Sequence, residues 1–147
     1  MRWAGWLLAW EFAWLFRRRA RRSALFAQAR ERATLLGKPL VVVGAPDGGV
    51  TSGYGCGDYT IDIAPSTCPN SLQLDITKRL PFGDNSVVVF VSCVLEYVDD
   101  ADAALDELRR IAGPNLYVVR VEPWTLTSVL YPGAKRTLPC DGTSCVR

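Results

Sequence analysis

The sequence predicts an α/β fold: a small open sheet of about five mainly parallel strands, preceded by an N-terminal apolar and Arg-rich helix. Three observations predict it. Val87-Val88-Val89-Phe90-Val91 is an unbroken apolar run, the signature of a strand covered on both faces. Between Asp99 and Ala112, residues Ala101, Ala104, Leu105, Leu108, Ile111 and Ala112 recur at helical spacing, making one apolar stripe. Leu116 to Val121 is then a second apolar stretch, reached through Gly113-Pro114. Strand, helix and strand joined by short turns make a parallel crossover, which is right-handed in nearly all proteins.

The first segment, residues 1–22, reads MRWAGWLLAWEFAWLFRRRARR. Trp3 to Phe16 is almost wholly apolar and holds four of the five Trp in the chain, with Glu11 as the one interruption. A perpendicular span needs ~20 apolar residues, so this run is short. Trp favours the membrane–water boundary, and Arg17 to Arg22 suits lipid phosphates. The segment is expected to be a membrane anchor, spanning or lying in the interface. A helix buried on the body and a cleaved signal peptide are the alternatives; for the latter the charge lies on the wrong side of the apolar run. If the segment spans, the Arg cluster puts the body on the cytoplasmic side. The aromatics precede the basic run instead of alternating with it, which argues against nucleic acid as the partner.

Charge supports this division. Eight Arg face two Glu within residues 1–37, while the remaining residues carry more acid than base. A basic arm on an acidic body points to a phosphate-rich partner surface, with a protein assembly partner as the other option.

Residues 23–37 form a connector helix built from good helix formers and ended by Gly37 and Pro39. Leu25, Ala29, Arg32 and Leu36 suggest its inward stripe. The body, 38–134, begins with the β-branched strand Leu40–Gly44. Six glycines follow between 44 and 57, too many for a long helix. Glycines after a first parallel strand let backbone amides approach a ligand closely. Tyr59–Ile63 is the second strand and Leu72–Asp75 the third; both carry an acidic residue at or near the end. Leu126–Tyr131 is a last short element, and 135–147 a polar tail.

The run from Leu80 to Asn115 resembles the second half of an S-adenosylmethionine-dependent methyltransferase of the Rossmann-like type. That family often shows "LPF-x-D-N-S" before its fourth strand and "VLEH" after it. Here the residues are Leu80, Pro81, Phe82, Asp84, Asn85 and Ser86, then Val94, Leu95 and Glu96. Glu107, Arg110, Ile111 and Pro114 match the end of the next helix. Tyr59, Ile61, Asp62, Ile63 and Pro65 are similar to a compact branch in which a glycine turn runs straight into strand two. The resemblance implies a truncated Rossmann-like sheet that binds S-adenosylmethionine. It implies contacts at Gly44 and Ala45 in the loop and at Asp62 and Ile63, where the carboxylate takes the ribose hydroxyls. It further implies contacts at Asp75 and Ile76, near the adenine amino group, and at Cys93. The sequence departs from the family at Val42, where an acidic residue is usual, and at Pro46, where a glycine is usual.

The chain contains no His, so the usual general base and the commonest metal ligand are both missing. Methyl transfer from a sulfonium needs little acid–base help, because placement in line supplies much of the acceleration. Glu96 is a base candidate by position only; the plainer expectation is a solvated or capping carboxylate. Cysteines stand at 56, 68, 93, 140 and 145 without a C-x-x-C pair, so no metal site is expected. Cys93 reads as a small core residue. Cys140 and Cys145 could pair in an oxidising compartment, but free thiols are expected. Two functions remain: a membrane-associated methyltransferase acting on an unspecified acceptor, or a non-catalytic relative serving as a structural subunit of a membrane-associated assembly.

Overall fold

The computed structural model describes residues 3–46 and 52–120. The order is α1 (Trp3–Leu36), β1 (Leu40–Val43), β2 (Tyr59–Asp62), β3 (Ser71–Gln73), β4 (Val88–Ser92), α2 (Ala101–Ala112) and β5 (Leu116–Val119). The five strands form one sheet in the order β3-β2-β1-β4-β5, and every pairing is parallel. The expected α/β architecture is therefore the observed one. Sequence order reverses between β1 and β4, which places a topological switch point at their carboxyl ends.

A parallel sheet must be covered on both faces, and alternate residues of β1 and β4 show how. Val41, Val43, Val89 and Val91 join Ala104, Leu108 and Ile111 of α2 in one core. Leu40, Val42, Val88 and Phe90 join Leu25, Ala29 and Ala33 of α1 in the other. No helix lies between β1 and β2 among the described residues. The N-terminal helix covers that face instead.

α1 is continuous over 34 residues, where two helices, 1–22 and 23–37, are expected from sequence. Nothing between Arg21 and Ala24 breaks a helix: Arg, Ser and Ala extend it without a Gly or Pro. Its inward stripe also differs from expectation. Leu25, Ala29 and Ala33 are buried, whereas Arg32 and Leu36 are exposed. The i, i+4, i+8 row selects small residues because the helix lies close on the sheet. Arg32 instead donates from Nε to Asn115 Oδ1 at 3.1 Å.

α2 starts and stops as its sequence suggests. Asp100 is the N-cap and accepts from Ala103 N at 2.9 Å. Asp102 lies in the first turn, with Arg109 and Arg110 in the last. Gly113, at φ 57°, closes the helix by donating to Arg109 O. A side chain there would also strike Asn85, whose Oδ1 lies 2.7 Å from the Cβ position.

One boundary shifts, and one covalent link is added. β3 ends at Gln73, so Asp75 falls beyond the strand instead of ending it. Cys56 and Cys68 form a disulfide, a pairing the sequence reading does not anticipate. They are 12 apart in sequence, but parallel pairing of β2 with β3 folds the loop back on itself. The element expected over 126–131, the residues Val121 and Trp124, and the tail cysteines lie outside the described residues.

Candidate functional site

The carboxyl ends of β1, β2 and β4 form the candidate rim. Gly44 follows β1 at φ 87°, a conformation natural only to glycine. It directs the next amide, Ala45 N, onto Asp62 Oδ2 at 2.8 Å. Asp62 is the last residue of β2; its Oδ1 accepts from Ala64 N at 2.9 Å. One half-buried carboxylate thus ties the turn after β1 to the turn after β2. Each oxygen still has acceptor capacity, which suits a ligand diol. Ile63 beside it is 74% exposed and presents an apolar edge at the same rim.

Asp75 stands at the same end of the sheet. Leu74 N donates to Asp62 O at 3.0 Å, so the β2–β3 pairing runs to the residue before it. Asp75 Oδ1 accepts from Thr77 N and Thr77 Oγ1 at 2.9 and 2.7 Å. Those bonds hold its carboxyl below the ordinary carboxylate range. It therefore closes a turn and remains a charged, exposed group on the rim. Ile76 is buried in the core against α2, so its side chain supports the rim from beneath.

Cys93 comes directly after β4 and is half-buried, with φ 54°, unusual for a residue with a side chain. Arg22 of α1 reaches it: Nη2 lies 3.6 Å from Cys93 Sγ, and Nη1 donates to Ser52 O at 3.2 Å. Burial pushes the thiol up, with Glu96 adding to the effect and Arg22 and Arg18 opposing it. Cys93 is accordingly a protonated thiol at neutral pH, a wall and not a nucleophile. Glu96 is 2% exposed, which corrects the expectation of a solvated carboxylate. Three charged side chains of α1 and the β4 turn, Arg18, Arg22 and Glu96, act on one thiol.

Space at the rim is uneven. A Cβ on Gly44 would lie 2.6 Å from Val94 Cγ2. Tyr54 donates from its hydroxyl to Gly44 O at 3.2 Å. Its ring packs on Phe90, centroids 5.3 Å apart. Asp62 and Ile63 offer acceptor oxygens and an apolar edge side by side, while the approach over Gly44 is lined closely by Val94 and Tyr54. Of the sequence-predicted positions, the structure joins Gly44, Ala45 and Asp62 directly and sets Ile63 and Asp75 on the same rim. Cys93 sits at the far side of the switch point, under Arg22. Sequence reasoning misses Arg22 and Tyr54 as rim residues. The Arg run 17–22 carries no mark showing which arginine turns inward.

The family-like motif residues lie elsewhere and do structural work. Arg110 donates to Glu107, Asp84, Phe82 O and Leu80 O, all at or below 3.3 Å. Glu107 Oε1 in turn accepts from Leu80 N at 2.6 Å. The "LPF-x-D-N-S" turn is thus clamped to α2 by a single guanidinium. Among the described residues, no group of three or more acidic, Cys or His side chains is arranged to hold a metal.

No curated protein and no solved structure matches the chain. Residues 52–119 match the family model described as a methyltransferase domain. That stretch runs from just before β2 to the end of β5 and contains Asp62, Asp75 and Cys93. Over residues 52–119, a little under half of the chain, the sequence is similar to the methyltransferase-domain family.

Proposed function

We propose that this protein is a membrane-associated, S-adenosylmethionine-dependent methyltransferase acting on an acceptor still to be identified. The observation that carries the reading is Asp62. Its carboxylate holds both rim turns in place through Ala45 N and Ala64 N and keeps acceptor positions for a ribose diol. Ile63 offers the apolar contact beside it, and Asp75 a second acceptor on the neighbouring turn. When bound, S-adenosylmethionine supplies a methyl group already activated on a sulfonium. The protein's own contribution is then placement, which alone can supply several powers of ten. Cys93, Val94 and Tyr54 shape the place where an acceptor would meet that methyl.

Membrane association rests on residues 1–22. Trp10 and Phe16 are 72% and 65% exposed on α1, and the arginines follow at once. No helix among the described residues is long and apolar enough to cross a membrane, which supports an interfacial anchor over a spanning one. The Arg-rich flank favours a cytoplasmic-facing body, whereas the Cys56–Cys68 disulfide favours an oxidising compartment. The oxidation state of that pair in cells therefore reports the side.

Calorimetric titration with S-adenosylhomocysteine tests the proposal. Heat of binding is expected for the native chain. Asp62→Asn should weaken binding at least tenfold, with its folded state checked by circular dichroism. No heat at high ligand concentration would retire the enzyme in favour of the non-catalytic structural subunit.

A further inference from the structure

The second half of the β1–β2 crossover, residues 52–58, is a strap without helix or strand. It lies along α1. A Cβ on Gly53 would lie 2.9 Å from Arg19 Cγ, and one on Gly55 3.8 Å from the Phe26 ring. Arg22 Nη1 donates to Ser52 O at 3.2 Å, and Arg30 Nη2 to Cys56 O at 2.8 Å. Glycines at 53, 55 and 57 alternate with Tyr54 and Cys56. A strap of that composition gains much conformational freedom when it is released.

Two of its side chains reach the rest of the body. Tyr54 donates from its hydroxyl to Gly44 O at 3.2 Å, with its ring against Phe90. Cys56 is bonded to Cys68. The chain between the two sulfurs is β2 with its flanking turns, so the disulfide closes a ring that contains Asp62. Asp62 Oδ2 accepts from Ala45 N at 2.8 Å, and Ile61 O, in the same ring, accepts from Gly44 N at 2.9 Å. These three bonds on the Gly44–Ala45 turn thus come from segments joined by one covalent link.

We propose that the Cys56–Cys68 pair is a thiol–disulfide exchange site whose oxidation state sets how firmly the Gly44–Ala45 turn is held for a ligand. The co-reactant is a small dithiol. Its first thiolate attacks one sulfur of the pair; the Cys56–Cys68 bond breaks, and the other sulfur leaves as a thiolate and takes up a proton. Its second thiolate then attacks the mixed disulfide and releases the remaining cysteine, which is protonated in turn. Two electrons and two protons end on the pair, and the co-reactant is left as its disulfide. Exchange needs access, so half-buried Cys56 is attacked ahead of Cys68, which is 8% exposed. Oxidised, the strap keeps Tyr54 on Gly44 O. Reduced, it loses its covalent anchor and the turn loosens. The weaker cofactor binding that follows rests on the methyl-transfer reading, because it costs affinity to order a turn that is no longer preset. The loosening itself does not rest on that reading and is measured without ligand.

The test uses the full chain, oxidised and then reduced with dithiothreitol. Cys56→Ser with Cys68→Ser gives a second bond-free form that leaves the other cysteines in place. In both, native-state hydrogen exchange should rise over 53–57 and by about fivefold at the Ala45 amide, the factor that one lost hydrogen bond is worth. The rise should come on a timescale at which the β4 amides 88–92 have not exchanged. In Tyr54→Phe the Ala45 amide should already exchange faster, and reduction should add little; that non-additivity marks Tyr54 as the link. Titration with S-adenosylhomocysteine should give an affinity about fivefold weaker in the reduced chain. Heat absent from both states, with the exchange difference intact, would count against the methyl-transfer reading and for the exchange site. A pair that dithiothreitol does not reduce in the folded chain, equal exchange at Ala45 in both states, or measurable binding of equal affinity in both would overturn the proposal.

Discussion

Replacing Phe90 tests whether α1 truly substitutes for a crossover helix. Phe90 is fully buried in the middle of β4. Its ring meets Phe26 of α1 edge-on, centroids 5.4 Å apart at 77°, and Tyr54 at 5.3 Å. Phe90→Ala should cost about 4 kcal/mol from lost transfer and the cavity left behind. At about 3 °C per kcal/mol for a chain of this size, the midpoint falls by about 12 °C. Against a total of about 5–15 kcal/mol, that loss can unfold the domain, so Phe90→Leu and Phe26→Leu are the working variants. Each should cost about 1–1.5 kcal/mol by urea denaturation followed by far-ultraviolet circular dichroism. The double variant should show a coupling of about 1 kcal/mol, the worth of an edge-to-face aromatic pair. Losses that add to within about 0.3 kcal/mol would mean that the rings do not meet and that α1 is not docked on this face.

Other consequences follow from single contacts. The Arg110 and Leu80 bonds hold the Glu107 carboxyl below its ordinary value of 4.5. That stabilisation is complete above pH 4.5 and is lost as pH falls through the lower, folded value. Glu107→Gln should therefore cost about 2 kcal/mol near neutrality, and its stability curve should converge with that of the native chain in acid. Reducing the Cys56–Cys68 disulfide should cost about 3 kcal/mol on the chain-entropy model, seen as a lower urea midpoint in dithiothreitol. Gly57 lies between β1 and β2, where a Cβ would press on Tyr59 O and come within 2.6 Å of Leu40 O. Gly57→Ala should thus destabilise by about 1–3 kcal/mol, readable as a shift in thermal midpoint, although its surroundings are only half-buried.

The sheet was legible because it is encoded locally. Val87 to Val91, the α2 stripe and the acidic N-cap each state their role within a few residues, and local choices that agree with one another specify a fold. α1 was harder. Its two halves have different chemistry, so composition divides a helix that the backbone keeps whole. Ala33 lines the sheet in place of Arg32 or Leu36 because close packing of helix on sheet rewards small residues, a tertiary demand invisible in one strand of text. The rim was half legible. Asp62 announces itself at a strand end, whereas Arg22 and Tyr54 arrive from distant segments, and only folding brings them to Cys93. The Cys56–Cys68 pair was hidden for the same reason: parallel pairing of β2 and β3 determines the approach of residues flanking them.

The motif that carries the family likeness is a scaffold, and this decides where activity should be sought. Leu80, Phe82, Asp84, Glu107 and Arg110 converge on one clamp between the turn before β4 and α2. None of them reaches the rim through these bonds. They preserve the crossover that holds β4 and β5 in register, a requirement shared by catalytic and non-catalytic members of any such fold. Gly44 and Ala45, by contrast, precede the matched stretch 52–119, and the Asp62 bond to Ala45 N is what joins the two. Breaking the clamp at Arg110 should weaken folding and ligand binding together, because the rim depends on the sheet. Asp62→Asn should separate them, lowering ligand affinity far more than stability.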